Sequence, residues 1–186
     1  MLGKDLTSVL DMTAEDIWRL TRLALALKAQ EDNGDPLKGR CLALLFEKPS
    51  LRTKVSFDVA MWQLGGHSIY LSPAEVGLGE REGVADVAPV LSRMVSGIAA
   101  RTFAHSTVEL LARHATVPVI NALSDLEHPC QALGDFLTIQ EMKGEVADLS
   151  IAYVGDGNNV ANSLLYMSAI IGIDFRCASP KGYALD

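Results

Sequence analysis

Six short apolar runs punctuate this chain, "RCLALLF", "HSIYL", "GIAARTF", "TVPVINA", "LSIAYVG" and "IDFRCAS", and most of the segments between them carry apolar residues at helical spacing. That alternation constrains the fold more than any other feature. Two parallel strands cannot be joined by a tight turn, so a chain that alternates strand and helix builds parallel sheets with helices on their faces. The expected class is therefore α/β. A polar break, "KGEVAD", divides the chain into residues 1–145 and 146–186. The second part then holds two strands and one helix, too little to bury its own sheet, so the chain reads as cut short.

Local signals place the helices. "TAED" at 13–16 reads as a capping box, with Ile17, Leu20, Leu23 and Leu27 following on one face. After the first strand, Val55, Val59 and Trp62 form the expected buried stripe of the next helix. Val84, Val87, Leu91 and Val95 mark another, which Pro89 should kink or fray. "STVE" at 106–109 reads as a capping box opening a short helix. Helices are expected over 129–142 and about 159–171.

Composition excludes several function classes. Of the 186 residues 49% are apolar, enough for a core without disulfides or metal. The net charge is −7 and the 16 Lys and Arg are scattered, which argues against a nucleic-acid surface or attraction to anionic lipid. An anionic ligand must then be caught by a local cluster, against the field of the whole chain. Cys41, Cys130 and Cys177 lie far apart and read as free buried thiols of a reducing compartment. The N-terminus has no leader pattern, and no apolar stretch reaches the ~20 residues of a membrane span. The expectation is a soluble, cytoplasmic protein with no nucleic-acid or membrane partner.

The chemistry concentrates where strands hand over to helices. In "FEKPSLRTKVSF" the first strand runs into Ser50, Leu51, Arg52 and Thr53 at the start of a helix. Ligands of open α/β sheets sit beyond the carboxyl ends of the strands. A helix N-terminus there offers unpaired N–H groups and about half a positive charge. Hydroxyls and a forked guanidinium suit phosphate oxygens. The glycine pattern of a Walker loop is missing, so a nucleoside triphosphate is not the natural ligand. The alternative is that Ser50 merely caps the helix while Arg52 and Lys54 are solvated. Two further stretches weigh against it. "ARTFAHS" puts Arg101 at the end of the third strand, and "EHPCQALGDF" puts His128 and Gln131 in the loop after the fourth.

Taken in order, "FEKPSLRT", "RTFAH", "HPCQALGD" and "YVGDGNNVANSLL" closely resemble the aspartate/ornithine carbamoyltransferase family, on its ornithine branch, over essentially the whole chain. The resemblance implies a carbamoyl-phosphate-binding domain over 1–145 and the beginning of a Rossmann-like ornithine-binding domain over 146–186. It implies that Ser50, Leu51 (through its backbone), Arg52 and Thr53 bind phosphate. Arg101 would reach phosphate and carbonyl oxygen, and His128 the carbonyl oxygen. Gln131 would hold the carbamoyl NH2, helped by the backbone at Pro129 and Cys130. Asn159, with Asn158 beside it, would touch ornithine. Arg101 and His128 are the catalytic candidates. Neither metal nor cofactor is implied, and the full-length protein is expected to be a homotrimer. "GDGNN" lacks the third glycine of a dinucleotide fingerprint, so NAD is set aside.

The sequence departs from the family in places. Gly77 stands where some relatives carry a Gln or His that reaches a neighbouring subunit, and Gly83 and Pro89 stand where many have Ser and Arg. Later ornithine-binding segments of the family are not in the chain. Other readings therefore stay open: another amine acceptor (aspartate, putrescine or N-acetylornithine), or a non-catalytic carbamoyl-phosphate-binding fragment.

Overall fold

All six residues of Cys41–Phe46 are buried, as befits a strand covered on both faces. The structure, a computed structural model, describes residues 3–29, 34–78, 81–144, 146 and 149–185. After a 3-10 turn at Val9–Asp11, the elements run α1 (Ala14–Ala29), β1 (Cys41–Phe46), α2 (Leu51–Gln63), β2 (His67–Leu71), α3 (Pro73–Val76), α4 (Val84–Ser92) and β3 (Gly97–Arg101). Then follow α5 (His105–His114), β4 (Val119–Leu123), α6 (Pro129–Lys143), β5 (Ser150–Val154), α7 (Asn159–Ile171) and β6 (Asp174–Ala178). Two compact units result, Met1–Thr7 with Glu31–Ser124, and Ser8–Gln30 with Asp125–Asp186.

The first unit holds a four-stranded parallel sheet in the order β2-β1-β3-β4. Side chains of β1 alternate between its faces. Cys41, Ala43 and Leu45 pack with Val87, Ala88, Val108 and Leu111 of α4 and α5. Leu42, Leu44 and Phe46 pack with Met61 and Phe57 of α2 on the other face. Each fully buried Leu or Phe here contributes about 1.5–3 kcal/mol relative to exposure. Phe46 lies opposite Arg101 in the β1–β3 register, and Arg101 opposite Leu123 in the β3–β4 register. The carboxyl ends of three strands thus finish level.

Three local expectations need correction. On α2 the buried residue is Met61, with Phe57 partly covered, while Val55, Val59 and Trp62 face outward. Both sides of this helix are apolar, so spacing alone could not choose between them. "STVE" does not open α5: the N-cap is Ala104, without a side-chain bond, and Ser106 is already helical. The Thr102 hydroxyl donates to the Ala104 carbonyl and turns the chain earlier. On α1 the buried residues are Ile17 and Thr21, and Leu23 is exposed. The α1 box itself forms, with Asp16 N–H donating to Thr13 Oγ1 and Thr13 N–H to Asp16 Oδ2. α4 runs through Pro89 as one helix, capped by Gly83, which has no side chain to offer.

In the second unit β5 and β6 pair in parallel, and α7 buries Ala161, Leu164 and Met167. α1 lies against α6, where Lys28 and Glu141 form an ion pair of 2.6 Å. The expected boundary at 145/146 falls beside Glu145, Ala147 and Asp148, which lie outside the described residues. Among the described residues no helix is long and apolar enough to cross a membrane.

Candidate active site

The turn after β1 is built by Ser50. Its extended backbone (φ −155°, ψ 115°) makes it the N-cap of α2, and its Oγ accepts the Thr53 N–H at 3.3 Å. The same hydroxyl donates to Thr53 Oγ1 at 2.9 Å. So the bland reading of Ser50 as a cap is true, and it does not exclude a second role: capping fixes where the hydroxyls stand. Leu51, the first helical residue, is 79% exposed and takes no part in the core. Arg52 beside it is exposed.

Arg101 arrives from β3. Its Nη1 donates to Thr53 Oγ1 at 3.5 Å, at the limit of a hydrogen bond. Its Nε is buried and has no hydrogen-bond partner among the described residues. Burial, and then the charge of Arg52, lower the pKa of the Arg101 guanidinium. Two guanidiniums and two hydroxyls therefore share one helix N-terminus in the first unit. A multiply charged anion would relieve the repulsion between the two cations and supply the missing acceptor.

Sequence reasoning passed over Glu47. Its carboxylate accepts the Phe103 N–H at 2.6 Å, and its own N–H donates to the Arg101 carbonyl at 2.8 Å. The Lys48 ammonium lies 4.8 Å from the centre of the Phe103 ring. Glu47 and Lys48 thus tie the loop after β3 to the loop after β1, which places Arg101. An acid at the end of a fully apolar strand was the available signal. A cavity of about 250 Å³ lies beside Glu47 and Phe103, with Pro73, Val76 and Leu78 in its wall. None of Ser50, Arg52, Thr53 or Arg101 lines it.

The other candidates belong to the second unit. His128 is the N-cap of α6, followed by Pro129 at its first position, and its backbone N–H donates to Ser163 Oγ at 2.9 Å. Burial pushes the Cys130 thiol up to about 12, outweighing a backbone hydrogen bond that lowers it. Gln131 is exposed and donates from Nε2 to Asp135 Oδ1 at 2.9 Å. Asn158 caps α7, its Oδ1 accepting the N–H groups of Val160 at 3.0 Å and Ala161 at 3.3 Å. Asn159 is the first residue of that helix.

Residues 4–141 match the carbamoyl-phosphate-binding domain, and residues 147–186 the Asp/Orn-binding domain, of aspartate/ornithine carbamoyltransferases. The chain belongs to the aspartate/ornithine carbamoyltransferase family. Among its relatives is an ornithine carbamoyltransferase of Thermus thermophilus, 55% identical over all of this chain and 62% of the relative. An anabolic ornithine carbamoyltransferase of Pyrococcus furiosus is 49% identical over all of this chain and 60% of the relative. The solved Thermus thermophilus structure superposes with a TM-score of 0.95, covering 100% of this chain and 65% of that one. For the Pyrococcus furiosus structure the TM-score is 0.94, covering 99% and 60%. The chain thus spans about three-fifths of the length of these carbamoyltransferases. Of the free thiols expected to be buried, Cys41 is, whereas Cys177 is exposed on β6.

Proposed function

We propose that this chain is part of a cytoplasmic ornithine carbamoyltransferase, which moves the carbamoyl group of carbamoyl phosphate to the δ-amine of L-ornithine, giving L-citrulline and phosphate. In this reading residues 1–145 form the carbamoyl-phosphate domain and 146–186 begin the ornithine domain. Ser50, Thr53 and Arg52 hold the phosphate with the N–H groups of Leu51 and the first turn of α2. Arg101 spans phosphate and carbonyl oxygen. His128 donates to the same oxygen, and Gln131 with the Pro129 and Cys130 backbone takes the carbamoyl NH2. Asn159 and Asn158 meet ornithine, Asn158 with what its capping role leaves of its amide.

The reaction needs little else from side chains. The neutral δ-amine attacks the carbamoyl carbon, the carbonyl becomes a tetrahedral oxyanion, and the C–O bond to phosphate breaks. The amine proton ends on the departing phosphate. Donors aimed at the oxyanion lower the barrier, and one such donor is typically worth ~10²–10³ in rate. Holding both reactants together supplies much of the rest. The observation that carries the reading is the Ser50–Thr53–Arg101 network, with Arg52 beside it at the N-terminus of α2.

A homotrimer belongs to the same proposal. The outward stripe of α2, with Trp62 75% exposed beside Val55 and Val59, supports a face that another copy covers. The test of function is the full-length protein assayed with carbamoyl phosphate and ornithine, where citrulline is expected. Turnover with putrescine, N-acetylornithine or aspartate instead would move the acceptor. No ureido product with any of them would overturn the reading and leave a carbamoyl-phosphate-binding fragment.

A further inference from the structure

Glu127 is 1% exposed, a carboxylate inside the second unit next to a proposed catalytic residue. Burying a carboxylate is costly unless its lone pairs are met by donors. Here they are met from two directions. Oε1 accepts the Ser8 hydroxyl at 2.5 Å, and Oε2 accepts the Val9 N–H at 3.0 Å. Oε2 also accepts the hydroxyl of Ser163, at 3.2 Å. Ser163, fully buried on α7, also accepts the His128 N–H at 2.9 Å through an oxygen lone pair. One turn of α7 adds a second grip, because Asn162 Nδ2 donates to the Leu126 carbonyl at 3.0 Å.

We infer that Glu127 and Ser163 form a clasp that positions His128 for its work on the carbamoyl oxygen. The inference rests on the proposed role of His128 and adds two residues to it. The clasp fixes the backbone on the amino side of His128. On the other side Pro129 has a ring-locked φ. What freedom remains at His128 is in its side-chain torsions, so the imidazole starts near one position. A donor to a developing oxyanion acts only if it stands in place before charge develops. Ser163 also lies four residues after Asn159, on the same face of α7. The helix turn that would receive the acceptor therefore anchors the residue that polarises the carbonyl.

A glutamine replaces Glu127 only imperfectly: its oxygen can keep the Val9 N–H and the Ser163 hydroxyl, but its NH2 then forces the Ser8 hydroxyl to turn from donating to accepting, and the charge-assisted bonds are lost. In the full-length protein Glu127→Gln is expected to lower kcat about tenfold to a hundredfold, the scale of a small misplacement of a reacting group. KM for carbamoyl phosphate should stay within about threefold, since the phosphate is held elsewhere. Ser163→Ala, which takes away the hydroxyl that the His128 N–H donates to while Ser8 and Val9 still meet Glu127, should act in the same direction and at least as strongly. It also serves where Glu127→Gln fails to fold. The deciding arm repeats both substitutions in a His128→Ala background. There each should change kcat by less than about twofold, because a residue that acts through the imidazole has nothing left to act on. Equal losses in the wild-type and His128→Ala backgrounds would make the clasp merely structural and overturn the inference. So would wild-type kcat in both single variants. If His128→Ala alone keeps wild-type kcat, the proposed role of His128 falls first, and the clasp with it.

Discussion

Arg101 is held by its neighbours more than by its own hydrogen bonds. Glu47 N–H donates to its carbonyl, while the Arg101 side chain reaches Thr53 at 3.5 Å and keeps a buried Nε without an acceptor among the described residues. A group so placed is preorganised for an oxygen anion. Arg101→Ala in the full-length protein should lower kcat by ~10²–10³. Arg101→Lys should not restore it, because an ammonium keeps the charge and loses the fork. Ser50→Ala removes both a donor and a helix cap, and thermal unfolding should show a loss of about 1 kcal/mol from the cap alone. The cysteines give a separate check by pH. With its pKa raised to about 12, Cys130 is thiolate at pH 8 in only about one molecule in 10⁴. Mass spectrometry after iodoacetamide should find Cys177, which is exposed, alkylated well before Cys130. The thiolate of Cys130 should emerge only as the pH climbs toward that value.

At the scale of elements, α2 makes the sharpest contrast. Met61 is buried against Leu42, Leu44 and Phe46, so Met61→Ala should cost about 2–5 kcal/mol in denaturant unfolding. Trp62, its neighbour in sequence, points outward. If the proposed trimer uses this face, Trp62→Asp should leave the helix content of the full-length protein unchanged in circular dichroism and give a monomer in sedimentation where the wild type gives a trimer. A trimer that persists would remove the α2 face from the interface. The same helix shows where sequence reading stops. Strand β1 was legible almost to the residue, because a parallel strand buried on both faces is an apolar run bounded by turns. The facing of α2 was not legible, since Phe57 and Met61 on one side and Val55, Val59 and Trp62 on the other all satisfy a helical period. The start of α5 was missed because a side chain outside the helix, Thr102, sets the turn. Ser50, Arg52, Thr53 and Arg101 were legible because strand ends in a parallel sheet share an edge. Glu47, Glu127 and Ser163 were not, since they touch backbone that is remote in sequence.

For the whole molecule the decisive quantity is charge. A chain of net charge −7 repels a phosphate dianion at long range, so attraction has to be local and should weaken as salt is added. The chain spans about three-fifths of the length of its relatives. We expect the 186-residue chain alone to give no measurable citrulline while still recognising the phosphate end of the substrate. Binding then raises its stability, by about 2.7 kcal/mol when ligand stands at a hundred times Kd. Isothermal titration of the purified chain with freshly prepared carbamoyl phosphate, repeated for Arg52→Ala and Arg101→Ala, tests this most directly. The account predicts one site in the wild-type chain and loss of measurable binding in both variants, each still folded by circular dichroism. Equal binding by all three chains would contradict it.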